Sequence, residues 1–195
     1  MTTTEQASGR PRDRRTHDAI IRATEELILE HGYAGTSITA IASRAGAGKD
    51  AIYRRWSGKP ELVYDALFTA TDVGPVPNTG TLAGDIAQLT ENLVEEFSEP
   101  AAAAALPGLL ADFAADPVLR ARLRSTFLAP ARGRMVEIFE RAATSGELTG
   151  DVPVDLILDT LAGAVFFHVG LMGEPVTAEL ANELAYVVTH GIGTR

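Results

Sequence analysis

Residues 49–55 read Lys-Asp-Ala-Ile-Tyr-Arg-Arg. Three cations, one carboxylate and one phenol fall within two helical turns. That set lacks a nucleophile–base pair and a metal-ligand spacing. The chain has no cysteine, which removes thiolate chemistry, disulfides and sulfur-ligated zinc and fits a reducing compartment. Its histidines, at positions 17, 31, 168 and 190, are scattered. No glycine-rich phosphate loop and no nucleophile elbow occur in the sequence. The expectation is a protein that is not an enzyme and needs no cofactor or metal. Lys, Arg and Tyr in one short segment instead suit phosphate oxygens and base edges.

The neighbouring elements must present that segment. Ile38, Ile41, Ala42 and Ala45 follow helical spacing and stop at Gly46. A second short helix is predicted over about 49–56, and Gly46-Ala47-Gly48 joins the two. Small residues suit a tight turn between steeply crossing helices, so residues 36–56 predict a helix-turn-helix. Its second helix would enter the major groove N-terminus first. Lys49, Asp50, Tyr53, Arg54 and Arg55 are expected to face outward, and Ala51, Ile52 and Trp56 inward. A longer helix precedes the pair, from about Asp13 to His31, with Gly32 as its left-handed terminator. Thr36 or Ser37 would cap the next helix. A fourth helix runs from about Lys59-Pro60 to Thr71.

The chain has 195 residues and a net charge of −9. Residues 1–62 hold ten Lys/Arg against eight Asp/Glu, whereas residues 63–195 hold seven against eighteen. A near-neutral head on an acidic body can still bind DNA, because phosphate contact depends on local charge. Residues 1–12 read as a disordered basic arm, either a minor-groove contact or a solubilising tail. Residues 13–58 form the expected DNA-binding domain and 59–195 a second helical domain, with a linker at about 73–80. Helices are predicted at about 81–98, 101–115, 117–145, 153–171 and 177–193, with Pro107-Gly108 kinking or splitting the second of these. The fold class is all-α, with about nine helices. The N-terminus lacks a signal-peptide pattern and no segment approaches a membrane span, so a cytoplasmic protein without a membrane partner is expected.

The order Gly-Tyr-x-x-Thr-Ser-Ile-x-x-Ile-Ala-x-x-Ala-Gly over 32–46, Lys-x-x-Ile-Tyr-Arg-Arg-Trp over 49–56 and Gly-Lys-x-Glu-Leu over 58–62 resembles the N-terminal domain of the TetR family of bacterial repressors. The resemblance implies double-stranded DNA with a palindromic operator as the partner. It places Thr36 and Ser37 at a helix cap touching phosphate, and Thr39 one turn in, near a base. Lys49 and Asp50 would open the recognition helix, Tyr53 would donate to a phosphate, and Arg54 and Arg55 would reach phosphate or guanine. Lys59 would contact phosphate at the start of the fourth helix. Thr39, Tyr53 and Lys59 each retain a bland reading, as an exposed residue, a packed ring and a solvated charge. Asp50 either accepts from cytosine N4 or caps and pairs locally. Trp56 reads as core, and His31 as a surface residue favoured by the helix dipole. Ala47-Gly48 stands where the family commonly has Val-Ser, Ala51 where it has Thr, and Pro60 where it has Glu. Gly48 and Ala51 thereby lose side chains that cap or contact DNA.

The same resemblance implies a body that dimerises and holds a small-molecule effector. Ile157, Leu161, Ala164, Val165 and Leu171 form one apolar stripe, and Leu180, Leu184, Val187 or Val188 and Ile192 another. These stripes would build a four-helix homodimer interface, or would pack within one subunit. Candidate effector-pocket residues are Phe97, Leu109, Leu110, Phe113, Phe127, Met135, Phe139, Phe166, Phe167 and His168, although residues of these types at helical spacing are more often core, and His168 more readily a satisfied interior or interface histidine. The function expected is a homodimeric repressor released from its operator by a small molecule. The rival readings are a helical interaction module that has lost DNA binding and a regulator that activates or ignores ligands.

Overall fold

The computed structural model of the chain describes residues 10–68, 75–148, 150 and 152–191. Residues 1–9 of the expected arm, 73–74 of the expected linker and Ile192 lie outside them. The described residues contain helices and no strand. In chain order these are α1 (Arg10–Gly35), α2 (Ile38–Arg44), α3 (Lys49–Tyr53), α4 (Lys59–Phe68), α5 (Leu82–Ser98), α6 (Pro100–Ala115), α7 (Pro117–Leu123), α8 (Ala129–Ser145), α9 (Val154–Val165) and α10 (Ala178–Gly191). A π-helical turn at Arg124–Leu128 joins α7 to α8, and another at Phe166–Met172 extends α9. Counted as continuous rods, these make the nine helices expected from the sequence.

Two of these helices are shared between separate cores. Ile20, Ala23 and Leu27 of α1 and Leu62 of α4 enclose Ile41, Ile52 and Trp56 in a head core. Ile28 and Tyr33, further along α1, and Val63 and Phe68 of α4 belong to a body core with α6. Adjacent residues, Leu27 with Ile28 and Leu62 with Val63, thus point into different cores. A second body core joins Ile86, Met135, Ile138, Phe139, Ile157, Leu161 and Val188. Burying each such side chain contributes roughly 1.5–3 kcal/mol.

Two helix boundaries show how local sequence sets the frame. α1 begins three residues earlier than expected and is interrupted at Gly32, whose φ of 68° suits glycine. One more turn, Tyr33–Gly35, then carries Tyr33 into the body. α6 runs as one helix through Pro107, so the anticipated split is absent. Gly108 serves a close approach there, because a Cβ on it would lie 2.2 Å from Cδ1 of Tyr33. The π turn at Arg124–Leu128 sits just before Pro130, which has no N–H for the regular ladder.

The expectation that no segment approaches a membrane span is corrected. Val154–Met172 is 19 residues long and apolar enough to pass that test by length and composition. Ile157, Leu161, Val165 and Val169 of this rod are buried within the chain. Its other side exposes Leu156, Phe167, Leu171 and Met172.

Candidate nucleic-acid interface

Three local devices hold the helix-turn-helix in shape. Ser37 caps α2 by accepting from the Ala40 N–H at 3.2 Å. Arg44 makes a two-pronged ion pair with Glu30 at 2.6 and 2.7 Å, tying the end of α2 to α1. Gly46 turns the chain with φ 61°, and Gly48 starts α3 in an extended conformation without a side-chain cap. Trp56 closes the head as expected: its ring is buried, stacks on His17 at 5.5 Å and donates Nε1 to Asp65 at 2.7 Å.

The residues expected at DNA divide into two groups. Ser37, Thr39, Lys49, Asp50, Tyr53 and Arg54 are exposed on α2 and α3 or beside them, with Tyr53 at 56%. The side chains of Lys49, Asp50, Tyr53 and Arg54 have no hydrogen-bond or ion-pair partner among the described residues. Capping or pairing by Asp50 is therefore not seen there. Among the described residues this face is exposed, and it offers two cations, two hydroxyls, a phenol and a carboxylate along α3 and the start of α2. Those groups suit phosphate oxygens and base edges.

Thr36, Arg55 and Lys59 are engaged within the subunit, Thr36 buried and the two cations half-buried. Thr36 is buried and its hydroxyl faces the α1 carbonyls of Leu27 and Gly32, at 3.1 and 2.8 Å. Carbonyls orphaned by the break at Gly32 compete for that proton, so Thr36 closes α1 instead of meeting phosphate. Arg55 pairs with Asp13 and donates to the Ala51 carbonyl at 3.0 Å. Lys59 donates Nζ to the Tyr33 carbonyl at 3.0 Å and sits 3.9 Å from the centre of its ring. No signal within residues 49–62 marks these long-range partners.

In the body, the expected pocket residues do not form one site. Phe97 and Phe113 are buried in the α1–α4–α6 core, with Leu110 and Phe166 packed at its edge and Leu109 at its centre. Met135 and Phe139 lie in the other body core. Phe167 is 51% exposed, and His168 approaches Glu174 at 3.4 Å. Rings do assemble around Tyr64, which the sequence reading overlooked: Phe127 lies at 4.6 Å, Phe68 at 5.2 Å and Phe113 at 6.0 Å. Phe68 continues the chain of rings to Phe97 at 4.8 Å, and Phe97 to Phe166 at 5.2 Å. Burial pushes the nearby Glu96 carboxyl up to about 7 against the opposing pull of Arg134. In the sequence, Glu96 looks like one more member of an acidic solvated face. A separate cleft of about 470 Å³, lined by Thr81, Asp85, Glu137, Arg141 and Glu147 among others, lies between the start of α5 and α8.

The expected dimer stripes are corrected in phase. Ile157, Leu161, Val165 and Val188 are buried inside the subunit, and Ala164, Leu180 and Leu184 are half-buried. α10 packs along α5 and spends its most regular apolar stripe there. Leu171 and Val187 of those residues are exposed, and Leu156, Phe167, Met172 and Tyr186 are exposed on the same two rods.

Comparison with known proteins agrees with this geometry. The profile described as "Bacterial regulatory proteins, tetR family" matches residues 20–66, and that described as "Tetracyclin repressor-like, C-terminal domain" matches 76–188. The HTH-type transcriptional regulator YdeS of Bacillus subtilis is 31% identical over 185 residues, covering 94% of this chain and 93% of its own. Among solved structures, the TetR family transcription regulator SCO0332 superposes with a TM-score of 0.72 at 23% identity, covering 92% of this chain and 100% of its own. The transcriptional regulator FadR from Bacillus subtilis, solved with stearoyl-CoA, superposes with a TM-score of 0.62 at 18% identity, covering 90% and 99%. With a DNA-binding head matched over its core helices and a body matched over most of its length, this chain belongs to the TetR family of bacterial transcriptional regulators.

Proposed function

We propose that the chain is a homodimeric repressor, acting in the cytoplasm on a palindromic operator and released from it by a small molecule. The observation that carries the DNA reading is the exposed face of Ser37, Thr39, Lys49, Asp50, Tyr53 and Arg54, on one short helix and its neighbour, with the last four side chains unpartnered among the described residues. Exposed Leu156, Phe167, Leu171, Met172, Tyr186 and Val187 support the dimer. Large apolar side chains grouped on one face are costly in water and mark an interaction surface. A second copy satisfies them by isologous contact and sets two heads at successive major grooves. The rings around Tyr64, with half-buried Glu96 beside them, support an effector site in the body. The repressor-like body profile and the stearoyl-CoA found with FadR are consistent with ligand control.

The test is selection of duplexes from a random pool. A two-fold symmetric site should emerge, and Tyr53→Ala with Arg54→Ala should abolish its binding while the circular dichroism spectrum stays helical. Retention of full affinity by that double variant would remove α3 from the interface.

A further inference from the structure

We infer that the site around Tyr64 takes a hydrophobic organic cation, an aryl-bearing amine or ammonium whose charge meets the Glu96 carboxylate while its apolar part lies against the rings of Tyr64 and Phe127. The inference rests on the reading of those rings as the effector site and names the ligand class for it. Tyr64 of α4, Glu96 of α5, Phe127 of the π turn and Arg134 of α8 are all half-buried. Phe68 and Phe113, the other two rings against Tyr64, are buried behind them. Four elements therefore bring polar groups to the edge of the body core, with rings beneath. Phe127 lies 4.6 Å from Tyr64 but is not part of the buried core behind it. It is carried by the π-helical turn at Arg124–Leu128, a kind of irregularity frequent at functional sites.

The polar groups at this edge are not balanced among themselves. Glu96 feels the charge of Arg134, and Tyr64 feels the charge of Glu96. Neither the Glu96 carboxyl nor the Tyr64 hydroxyl has a hydrogen-bond partner among the described residues. Arg134, by contrast, has an interaction besides the one with Glu96. A half-buried carboxylate without donors is costly. Burial accordingly pushes the carboxyl up despite Arg134. The group that relieves this cost is a positively charged donor. Aromatic faces are negative and attract the same charge when it comes within about 6 Å of the ring centre. A neutral ligand would leave the carboxylate uncompensated, and an anion would meet it as a like charge. The body adds a longer-range pull. Residues 63–195 hold seven Lys/Arg against eighteen Asp/Glu, and such a field concentrates cations.

The experiment uses the full chain and probes that share one skeleton: 4-phenylbutylammonium, 4-phenylbutan-1-ol and 4-phenylbutanoate. Binding is followed by calorimetry and ligand-observed NMR, and release by displacement of a duplex selected from a random pool. At pH 8 the ammonium should bind about tenfold or more tightly than the alcohol, the worth of a hydrogen bond to a charged group, and the carboxylate should bind weakest. Glu96→Gln should bring the ammonium down to the alcohol's affinity while the circular dichroism spectrum stays helical. Phe127→Ala should weaken the ammonium and the alcohol alike. Only the ionised carboxylate attracts the cation, so the ammonium's affinity should rise about tenfold from pH 6 to pH 8 as Glu96 ionises through about 7. The alcohol's affinity should not rise. Tyr64 and Arg134, the other ionisable groups at this edge, do not titrate in that window, so Glu96→Gln should abolish the rise. The proposal is overturned if the alcohol or the carboxylate binds as tightly as the ammonium, or if the ammonium does not bind. It is overturned equally if Glu96→Gln leaves the ammonium's affinity unchanged, which would put the cation elsewhere, such as the acidic cleft between α5 and α8. The duplex readout separates this from the effector reading. Glu96-dependent binding of the ammonium with the duplex retained supports the ligand class and refutes the effector role. Release by all three probes without preference supports the effector role and overturns the class.

Discussion

Gly108→Ala sets helix propensity against packing, and the structure decides the sign. In an open helix this change stabilises by about 0.5–1 kcal/mol, because glycine loses more backbone freedom on folding. At Gly108 the new methyl would lie 2.2 Å from Cδ1 and 2.8 Å from Cγ of Tyr33. Carbon atoms rest about 3.5–4.0 Å apart. The ring has little freedom to retreat, since its hydroxyl is held by Asp112 and its face by Lys59. Overpacking of this kind costs about 1–3 kcal/mol, so the net change is a destabilisation of about 0.5–2 kcal/mol. For a chain of this length that lowers the melting temperature by roughly 1–8 °C. Gly133→Ala in α8 is the control, because a Cβ there meets nothing within 4 Å and the residue is exposed. A circular dichroism melt should show Gly108→Ala falling and Gly133→Ala rising. If Gly108→Ala also rises, the close approach of α1 and α6 is misjudged.

The remaining predictions concern charge and association. Glu96 has its carboxyl raised to about 7 by burial. Protonation therefore favours the folded state, and stability from this group is present below about pH 4.5 and lost as pH rises through 7. Glu96→Gln should raise the melting temperature at pH 8 and leave it nearly unchanged near pH 4.5; an equal shift at both would refute the burial argument. Asp85 runs the other way. Burial raises its pKa, but bonds from Thr79 and Arg141 outweigh it and hold the carboxyl below its usual range. Its contribution is present above about pH 4 and disappears as pH falls further, a loss that Asp85→Asn should abolish in acid melts. Leu171→Glu with Val187→Glu, both on the exposed apolar face, should turn a dimer into a folded monomer in light scattering. Persistence of the dimer would move the interface elsewhere.

Local grammar was largely legible. Gly32 and Gly46 announced the ends of α1 and α2, Ser37 announced a cap, and the pattern Lys-x-x-Ile-Tyr-Arg-Arg-Trp announced the recognition helix with its buried Ile52 and Trp56. These features depend on backbone conformation and on spacing within a few residues. Phase was less legible. In α9 and α10 large apolar residues such as Leu156, Tyr186 and Val187 also stand outside the buried stripe, so helical spacing alone does not tell which apolar residues are left exposed. Glu96 was missed because its burial comes from α4 and α8, distant in the chain.

The amino-acid sequence alone determined that this chain is helical and that its head is a helix-turn-helix built around residues 36–56. Tertiary structure alone decided which cations of the head find partners within the subunit. Lys49 and Arg54 remain free of partners among the described residues, while Arg55 is drawn to Asp13 and Lys59 to Tyr33. The physical reason is range. A lysine's type and helical position are local facts, but its four-carbon stem lets the ammonium choose among partners that only the packed fold brings within reach.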